Sequence, residues 1–337
     1  MPSLSPAELP RHLLAHGLLT SRDVVERGVR VTERSRSHSV LVVAVGDGDG
    51  LVVKQAAPEH GGDPARLCRE AELYAAAATR PGLRAVIPRC PHASPGRLVL
   101  EYAPGETLLE HHHRPGPCDP AVSRALGAAL GSAHRALAGD PPNGFAGPLP
   151  WVLDALEAGG DASFAWEDAR IAAALQAVPE PVRVHEALAE ARARWRVEHV
   201  IHGDLKWDNV LLADPVAPTV RIIDWELATV GDPAWDLAGA LQEYSALGVA
   251  RGEDPVGHGD AVAALWAGYL DAAGPAVADV AGLVARSERF AGARLLQTAC
   301  EVARQHGAGA PAVPALVGLA SDLLTRGAPV TPAPAAA

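Results

Sequence analysis

Along the chain the spacing of apolar residues switches between two periods. Between Ser5 and Val29 they recur at helical intervals, with Ser5–Pro6 and Ser21 as start signals, which predicts two short helices. From Val29 to Lys54 the period falls to two. The runs "VRVTE", "SVLVVAV" and "LVVKQ" are rich in β-branched residues, and the Gly/Asp run from Gly46 to Gly50 turns the second into the third. An antiparallel meander is predicted there. Helical spacing returns over Asp63 to Ala78, where Asp63 can cap, Pro64 suits the first helical position, and Leu67, Ala71, Tyr74 and Ala78 share a face. A strand over Arg97 to Tyr102 then runs into Pro104 and Gly105.

That Pro-Gly loop marks a boundary. It separates the N-terminal helices (1–28) and a small β-rich lobe (29–103) from a larger lobe (104–327). In the larger lobe Ala121 to Leu137 reads as an Ala-rich helix, "GDPPNGFAGPLP" as a loop, and 151–197 as helical. Short strand-like runs follow at "HVI", "NVLL" and Thr219 to Trp225. From about 234 to 327 the pattern is helical, broken near "GVARGEDPVGHG" and "HGAGAPA". The Pro/Ala-rich tail, 328–337, is predicted to be unstructured. There is no internal repeat.

A length of 337 residues gives room for about two domains or one bilobal unit. Hydrophobic residues at 48 % and charged residues at 20 % belong to a folded chain. A net charge of −11 lacks the basic footprint that nucleic acid requires, so no nucleic-acid partner is expected and a cationic acceptor suits the charge better. The four cysteines, Cys68, Cys90, Cys118 and Cys300, have no metal-ligand spacing and read as reduced, mostly buried thiols. The N-terminus lacks a basic region before an apolar core, and no apolar run reaches a membrane-spanning length. A cytoplasmic protein without a membrane partner is expected.

One stretch is polar where its flanks are apolar: "HVIHGDLKWDNVLL", carrying His202, Asp204, Lys206, Asp208 and Asn209. Upstream lie a lysine on the third strand, Lys54, and a helix with Glu70 and Glu72. Downstream lie Asp224 at a strand end and the segment "DPAWDLA". This order meets the needs of phosphoryl transfer, which asks for placed charges around a triphosphate and an oriented hydroxyl.

On these motifs the chain resembles the aminoglycoside phosphotransferase family, relatives of choline kinases and, more distantly, of protein kinases. The likeness runs from about Val29 to Leu241. It implies an α+β, bilobal protein-kinase-like fold: a small antiparallel β-sheet lobe with one helix and a larger, mainly helical lobe. It implies ATP and Mg²⁺ as cofactors. Asp204 takes the place of the catalytic aspartate that orients the acceptor hydroxyl. Asn209 and Asp224 take the places of the metal ligands. Lys54 resembles the lysine that holds the α- and β-phosphates, with Glu70 preferred over Glu72 as its partner, and Glu101 to Ala103 resembles the adenine-reading hinge. His202 and Asp236 correspond to structural braces of the catalytic loop.

Two departures stand out. The turn "ERSRSHSV" has no glycine, so Ser37, with Ser35 nearby, falls where a phosphate-touching serine would sit. Lys206, two residues after Asp204, is more familiar from protein Ser/Thr kinases, where such a lysine neutralises the transferring phosphoryl group. Blander readings apply elsewhere. Adjacent histidines on a helix diverge by about 100°, so His111 to His113 reads as a turn or helix start rather than a metal site. Trp207 reads as core or as a wall facing the acceptor. The expected acceptor is a small polar natural product such as an amino sugar, held by carboxylates among which Glu226, Glu243 and Glu301 are candidates. The alternatives are a Ser or Thr of a precursor peptide in a lanthipeptide-type pathway, with a pathway partner enzyme, and a nucleotide-binding pseudokinase scaffold.

Overall fold

The computed structural model describes residues 3–34, 39–46, 48–56, 64–139, 145, 147–157 and 162–326. Ser35, Ser37, the cap expected at Asp63 and the tail 328–337 lie outside them.

The chain opens with α1 (Leu9–Ala15) and an irregular turn over Asp23–Arg27, then runs β1 (Val29–Glu33), β2 (Ser39–Val45), β3 (Asp49–Gln55), α2 (Pro64–Ala77), α3 (Pro81–Val86), β4 (His92–Ser94) and β5 (Arg97–Glu101). The five strands form one antiparallel sheet in the order β1-β2-β3-β5-β4. Period-two alternation sorts its faces. Leu41, Val43, Val53 and Val99 cluster with Leu9 and Leu13 of α1, each fully buried leucine contributing about 1.5–3 kcal/mol. Lys54 and its neighbour across the strand pair, Leu98, point to the opposite face. On α2 the expected face is buried at Leu67 and Tyr74 and packs on the core at Ala71, but the helix ends at Ala77, Ala78 is exposed, and the buried surface extends to Glu70, Leu73 and Ala77. A carboxylate can occupy that face because Lys54 compensates it from the sheet.

The large lobe contains β6 (Glu106–Thr107), α4 (Leu108–His112), α5 (Pro120–Leu137), α6 (Ser163–Glu167), α7 (Ala169–Gln176), α8 (Pro181–Ala193), β7 (His199–Ile201), β8 (Val210–Asp214), β9 (Thr219–Ile222), β10 (Thr229–Gly231), α9 (Pro233–Arg251), α10 (Gly259–Ala273), α11 (Val280–His306) and α12 (Ala312–Arg326). Two small sheets, β6-β8-β9 and β10-β7, frame the polar loop. β6 and β10 have two and three residues, too few for a periodicity to reveal. A break between α10 and α11 also escapes the hydrophobic pattern, since both sides are apolar. Gly274 turns there at φ 57°, and the Asp279 side chain caps α11 by accepting from Gly282 N–H.

Helices α5 and α10 lie backbone to backbone. A β-carbon placed at Gly127, Gly131 or Gly268 would stand 2.0, 2.5 or 2.1 Å from the carbonyl oxygens of Leu265, Tyr269 and Arg124. This contact brings His134 of α5 to Tyr269 of α10, beneath the polar loop.

Candidate active site

The polar loop follows β7 and is fixed from below by one buried carboxylate. Asp236, in the first turn of α9, accepts from His202 N–H at 2.7 Å and Gly203 N–H at 3.0 Å, while Trp235 Nε1 donates to the Gly203 carbonyl at 3.0 Å. Gly203 is needed there: its φ is +82°, and a β-carbon would sit 2.4 Å from the Leu227 carbonyl. His134 Nε2 lies 3.0 Å from Asp236 Oδ2, and Tyr269 OH lies 3.0 Å from His134 Nδ1. With the carboxylate as acceptor, Nε2 carries the proton and the tyrosine hydroxyl donates to Nδ1. Burial pushes the Asp236 carboxyl up, but the hydrogen bond from His134, with that from the His202 N–H, outweighs it, so the net value is lowered and the brace is anionic. The two aspartates of "DPAWDLA" divide the labour, because Asp232 caps α9 and pairs with Arg286 at 2.8 Å.

His202 links the loop to the strand end bearing Asp224. Asp204 N–H donates to its Nδ1 at 3.2 Å, so the proton resides on Nε2, which donates to the Ile223 carbonyl at 2.8 Å. The Asn209 amide donates to the Asp204 carbonyl at 2.9 Å, which leaves Asn209 Oδ1 as its acceptor atom. Asp224 adopts a left-handed backbone, φ 65° and ψ 56°, a conformation Asp tolerates better than most residues.

Lys54 reaches across both lobes. Its Nζ lies 2.7 and 2.9 Å from the two Glu70 oxygens and 2.6 Å from Asp224 Oδ1. Glu72 is exposed and takes no part. Burial alone would pull the ammonium of Lys54 down, but Glu70 and Asp224 outweigh it and hold its pKa above the ordinary value. Burial pushes Glu70 up against the opposing charge of Lys54. Burial likewise works to raise Asp224, yet Lys54 prevails there and the carboxyl sits below its usual range. At the hinge, Glu101 N–H donates to the Arg89 carbonyl at 2.8 Å and Tyr102 N–H to the Gly50 carbonyl at 2.9 Å. Glu101 is exposed and Ala103 buried.

Asp204 is held at both oxygens. Arg294 of α11 donates to Oδ1 from Nη1 and Nη2 at 3.3 and 3.2 Å, and Lys206 lies 3.0 Å from Oδ2. Burial raises the carboxyl, but Arg294 and then Lys206 lower it more. Burial pulls Lys206 down, and Asp204 and Glu301 lift it above its ordinary value. None of the sequence motifs marks Arg294, His134 or Tyr269. One signal was available: Arg294, Gln297, Thr298 and Glu301 form a polar stripe at helical spacing along α11.

Two cavities flank Asp204. The first, about 260 Å³, is walled by Lys206, Trp207, Asp208, Glu243, Arg294 and Glu301. Burial pushes Glu243 up to about 7. Glu226 is not part of this wall; it follows Asp224 on the next turn, where its charge bears on Glu70. Trp207 is buried, its ring 4.2 Å from His112 and edge-on to Tyr244 at 5.0 Å. His111 and His112 close α4, whose start carries a Thr107–Glu110 capping box, and burial pushes His112 down to about 4. The second cavity, about 330 Å³, includes Asp204, Arg66, Arg69, Trp151, Trp195 and Gln297.

Among the described residues no group of three or more His, Cys, Asp or Glu could hold a metal ion. A divalent ion at Asn209 and Asp224 would have an amide oxygen and a carboxylate from the protein. That hard-oxygen pair fits a cation completed by phosphate and water. The same residues are free of disulfides, and none of their helices is long and apolar enough to cross a membrane.

A five-stranded antiparallel lobe and a mainly helical lobe with a charged cleft between them define a bilobal, protein-kinase-like α+β fold. Residues 30–279 match the model of the APH phosphotransferase enzyme family, and the chain belongs to that family. Among solved structures it is similar to Plasmodium vivax ethanolamine kinase, 12 % identical over 94 % of this chain and 88 % of that one, with a TM-score of 0.60. It is also similar to an amicoumacin kinase in complex with AMP-PNP and Ca²⁺, 14 % identical over 96 % and 95 % of the two chains, with a TM-score of 0.59. Among curated proteins it matches acyl-CoA dehydrogenase family member 11 of Gallus gallus, 45 % identical over 47 residues. Those residues are 14 % of this chain and 6 % of that protein, so the match spans only a small part of the relative's length.

Proposed function

We propose that this chain transfers the γ-phosphoryl group of ATP, with Mg²⁺, to a hydroxyl of a small amine-bearing polar natural product such as an amino sugar. The observation that carries the reading is the Lys54 junction, which joins Glu70 of one lobe and Asp224 of the other at 2.7 and 2.6 Å beside a loop presenting Asp204. Lys54 holds the α- and β-phosphates, kept at one point by Glu70. The Glu101 carbonyl and the Ala103 N–H read the adenine edge. Asn209 and Asp224 hold Mg²⁺, which supplies charge neutralisation at the phosphates. Asp204 orients the acceptor hydroxyl, and Lys206 neutralises charge on the transferring group.

Asp208, Glu243 and Glu301 give the first cavity the carboxylates that an ammonium-bearing acceptor needs. Its volume, about 260 Å³, lies near the lower end of small-molecule sites and suits a compact acceptor over an extended peptide. Arg66 and Arg69 in the second cavity favour, as a second reading, an acceptor that also carries an anionic group. The test is a mass-spectrometric screen for phosphorylated products from ATP, with arms of amino sugars, acidic hydroxylated compounds and Ser/Thr peptides, using Asp204→Asn as control. Product in the amino-sugar arm supports the proposal. Product only in the peptide arm replaces it with the precursor-peptide kinase, and ATP binding without turnover in any arm replaces it with the scaffold.

A further inference from the structure

Arg294 is tied down more completely than any other side chain at Asp204. It is 3 % exposed. Besides its two hydrogen bonds to Asp204 Oδ1, it donates to the Leu205 carbonyl at 3.0 Å and to Gln297 Oε1 at 3.2 Å, and its guanidinium carbon stands 5.2 Å from the centre of the Trp235 ring. The other carboxylate oxygen meets a different kind of partner. Lys206, at 3.0 Å from Oδ2, is a single ammonium on a flexible stem whose side chain is 28 % exposed. One oxygen of Asp204 is therefore clamped by a planar fork and the other by a group able to swing aside.

We propose that Arg294 is a positioning residue for phosphoryl transfer: it locks the Asp204 carboxylate through Oδ1, so that Oδ2 is the oxygen presented to the acceptor hydroxyl. This rests on the reading of Asp204 given above. In the step, the acceptor oxygen forms a bond to the γ-phosphorus while the bond from that phosphorus to the β,γ-bridging oxygen breaks. The electron pair leaves with ADP, and the hydroxyl proton passes to Oδ2. The terminal torsion of an aspartate is broad and roughly two-fold, so an unclamped carboxylate would sample both faces. A misplacement of about 1 Å costs about 10²-fold in rate.

The test measures ADP release from ATP, with water as acceptor and with any acceptor found in the screen. It compares wild type, Arg294→Met, Arg294→Lys, Asp204→Asn and the double variant Arg294→Met/Asp204→Asn. Arg294→Met is expected to lower kcat about 10- to 100-fold with the KM for ATP within about two-fold, and Arg294→Lys to recover part of the loss. In the Asp204→Asn background, Arg294→Met should add little, because the carboxylate it positions is gone. If Arg294→Met does not fold, Arg294→Lys, which keeps the charge and loses the fork, is expected to cost about ten-fold in kcat alone. Equal losses from Arg294→Met in both backgrounds, or an unchanged kcat in Arg294→Lys, overturn the proposal. Insensitivity of ATP turnover to Asp204→Asn overturns the reading beneath it instead.

Discussion

Two clusters of buried charge face the same cleft, and they carry opposite surpluses. At Lys54 one ammonium meets two carboxylates, Glu70 and Asp224; at Asp204 one carboxylate meets two cations, Lys206 and Arg294. The first is short of positive charge, and a divalent cation would complete it. The second has positive charge to spare, and an incoming phosphoryl group would use it. Their construction differs as well. The first is assembled from two lobes, so it reports on lobe closure; the second is hung entirely on the large lobe, from the loop and α11, so it is rigid with respect to the acceptor cavity.

The contrast can be broken in order of effect. Asp204→Asn should lower phosphoryl transfer by about 10²- to 10⁴-fold while ATP still binds, read by product formation and nucleotide titration; loss of both together would merge the two clusters into one. Lys54→Met should cost about 3 kcal/mol of unfolding free energy in denaturant melts, because it strands the buried Glu70 carboxylate, while the half-exposed Asp224 stays solvated. Glu70→Gln should cost less, since burial has already pushed that carboxyl up toward neutrality.

Gly127→Ala tests the scaffold beneath Asp204. Its β-carbon would meet the Leu265 carbonyl, so about 1–3 kcal/mol of stability should be lost with no change in ATP affinity. Glu243→Gln is expected to be smallest and pH-dependent. With its carboxyl raised from 4.5 to about 7, the folded protein loses stability as pH rises between those values, because the ionised form is disfavoured in the fold. The variant should be more stable than wild type at pH 8 and close to it at pH 5, as thermal unfolding at the two values would reveal.

The legibility of each cluster follows from how its members are spaced. Asp204 and Asn209 are five residues apart in one loop, so the chain itself fixes their separation. Lys54 and Glu70 were paired by the likeness to the family, since the helix face read from spacing, which failed at Ala78, did not include Glu70. Arg294 stands ninety residues from Asp204, and the polar stripe it shares with Gln297, Thr298 and Glu301 does not say which carboxylate it meets. His134 and Tyr269 were hidden for the same reason, since their meeting depends on Gly127, Gly131 and Gly268 letting two helices touch.

By itself the sequence determined the bilobal α+β plan, the meander, and which residue types line the phosphoryl-transfer loop, because periodicity and short spacings are properties of the chain alone. Only the tertiary structure decided that Arg294 clamps Asp204, that Asp236 is braced from below by His134 and Tyr269, and that Glu243 rather than Glu226 walls the cavity. Those choices depend on how helices distant in sequence pack, and the energy that selects them lies in contacts that no local window contains.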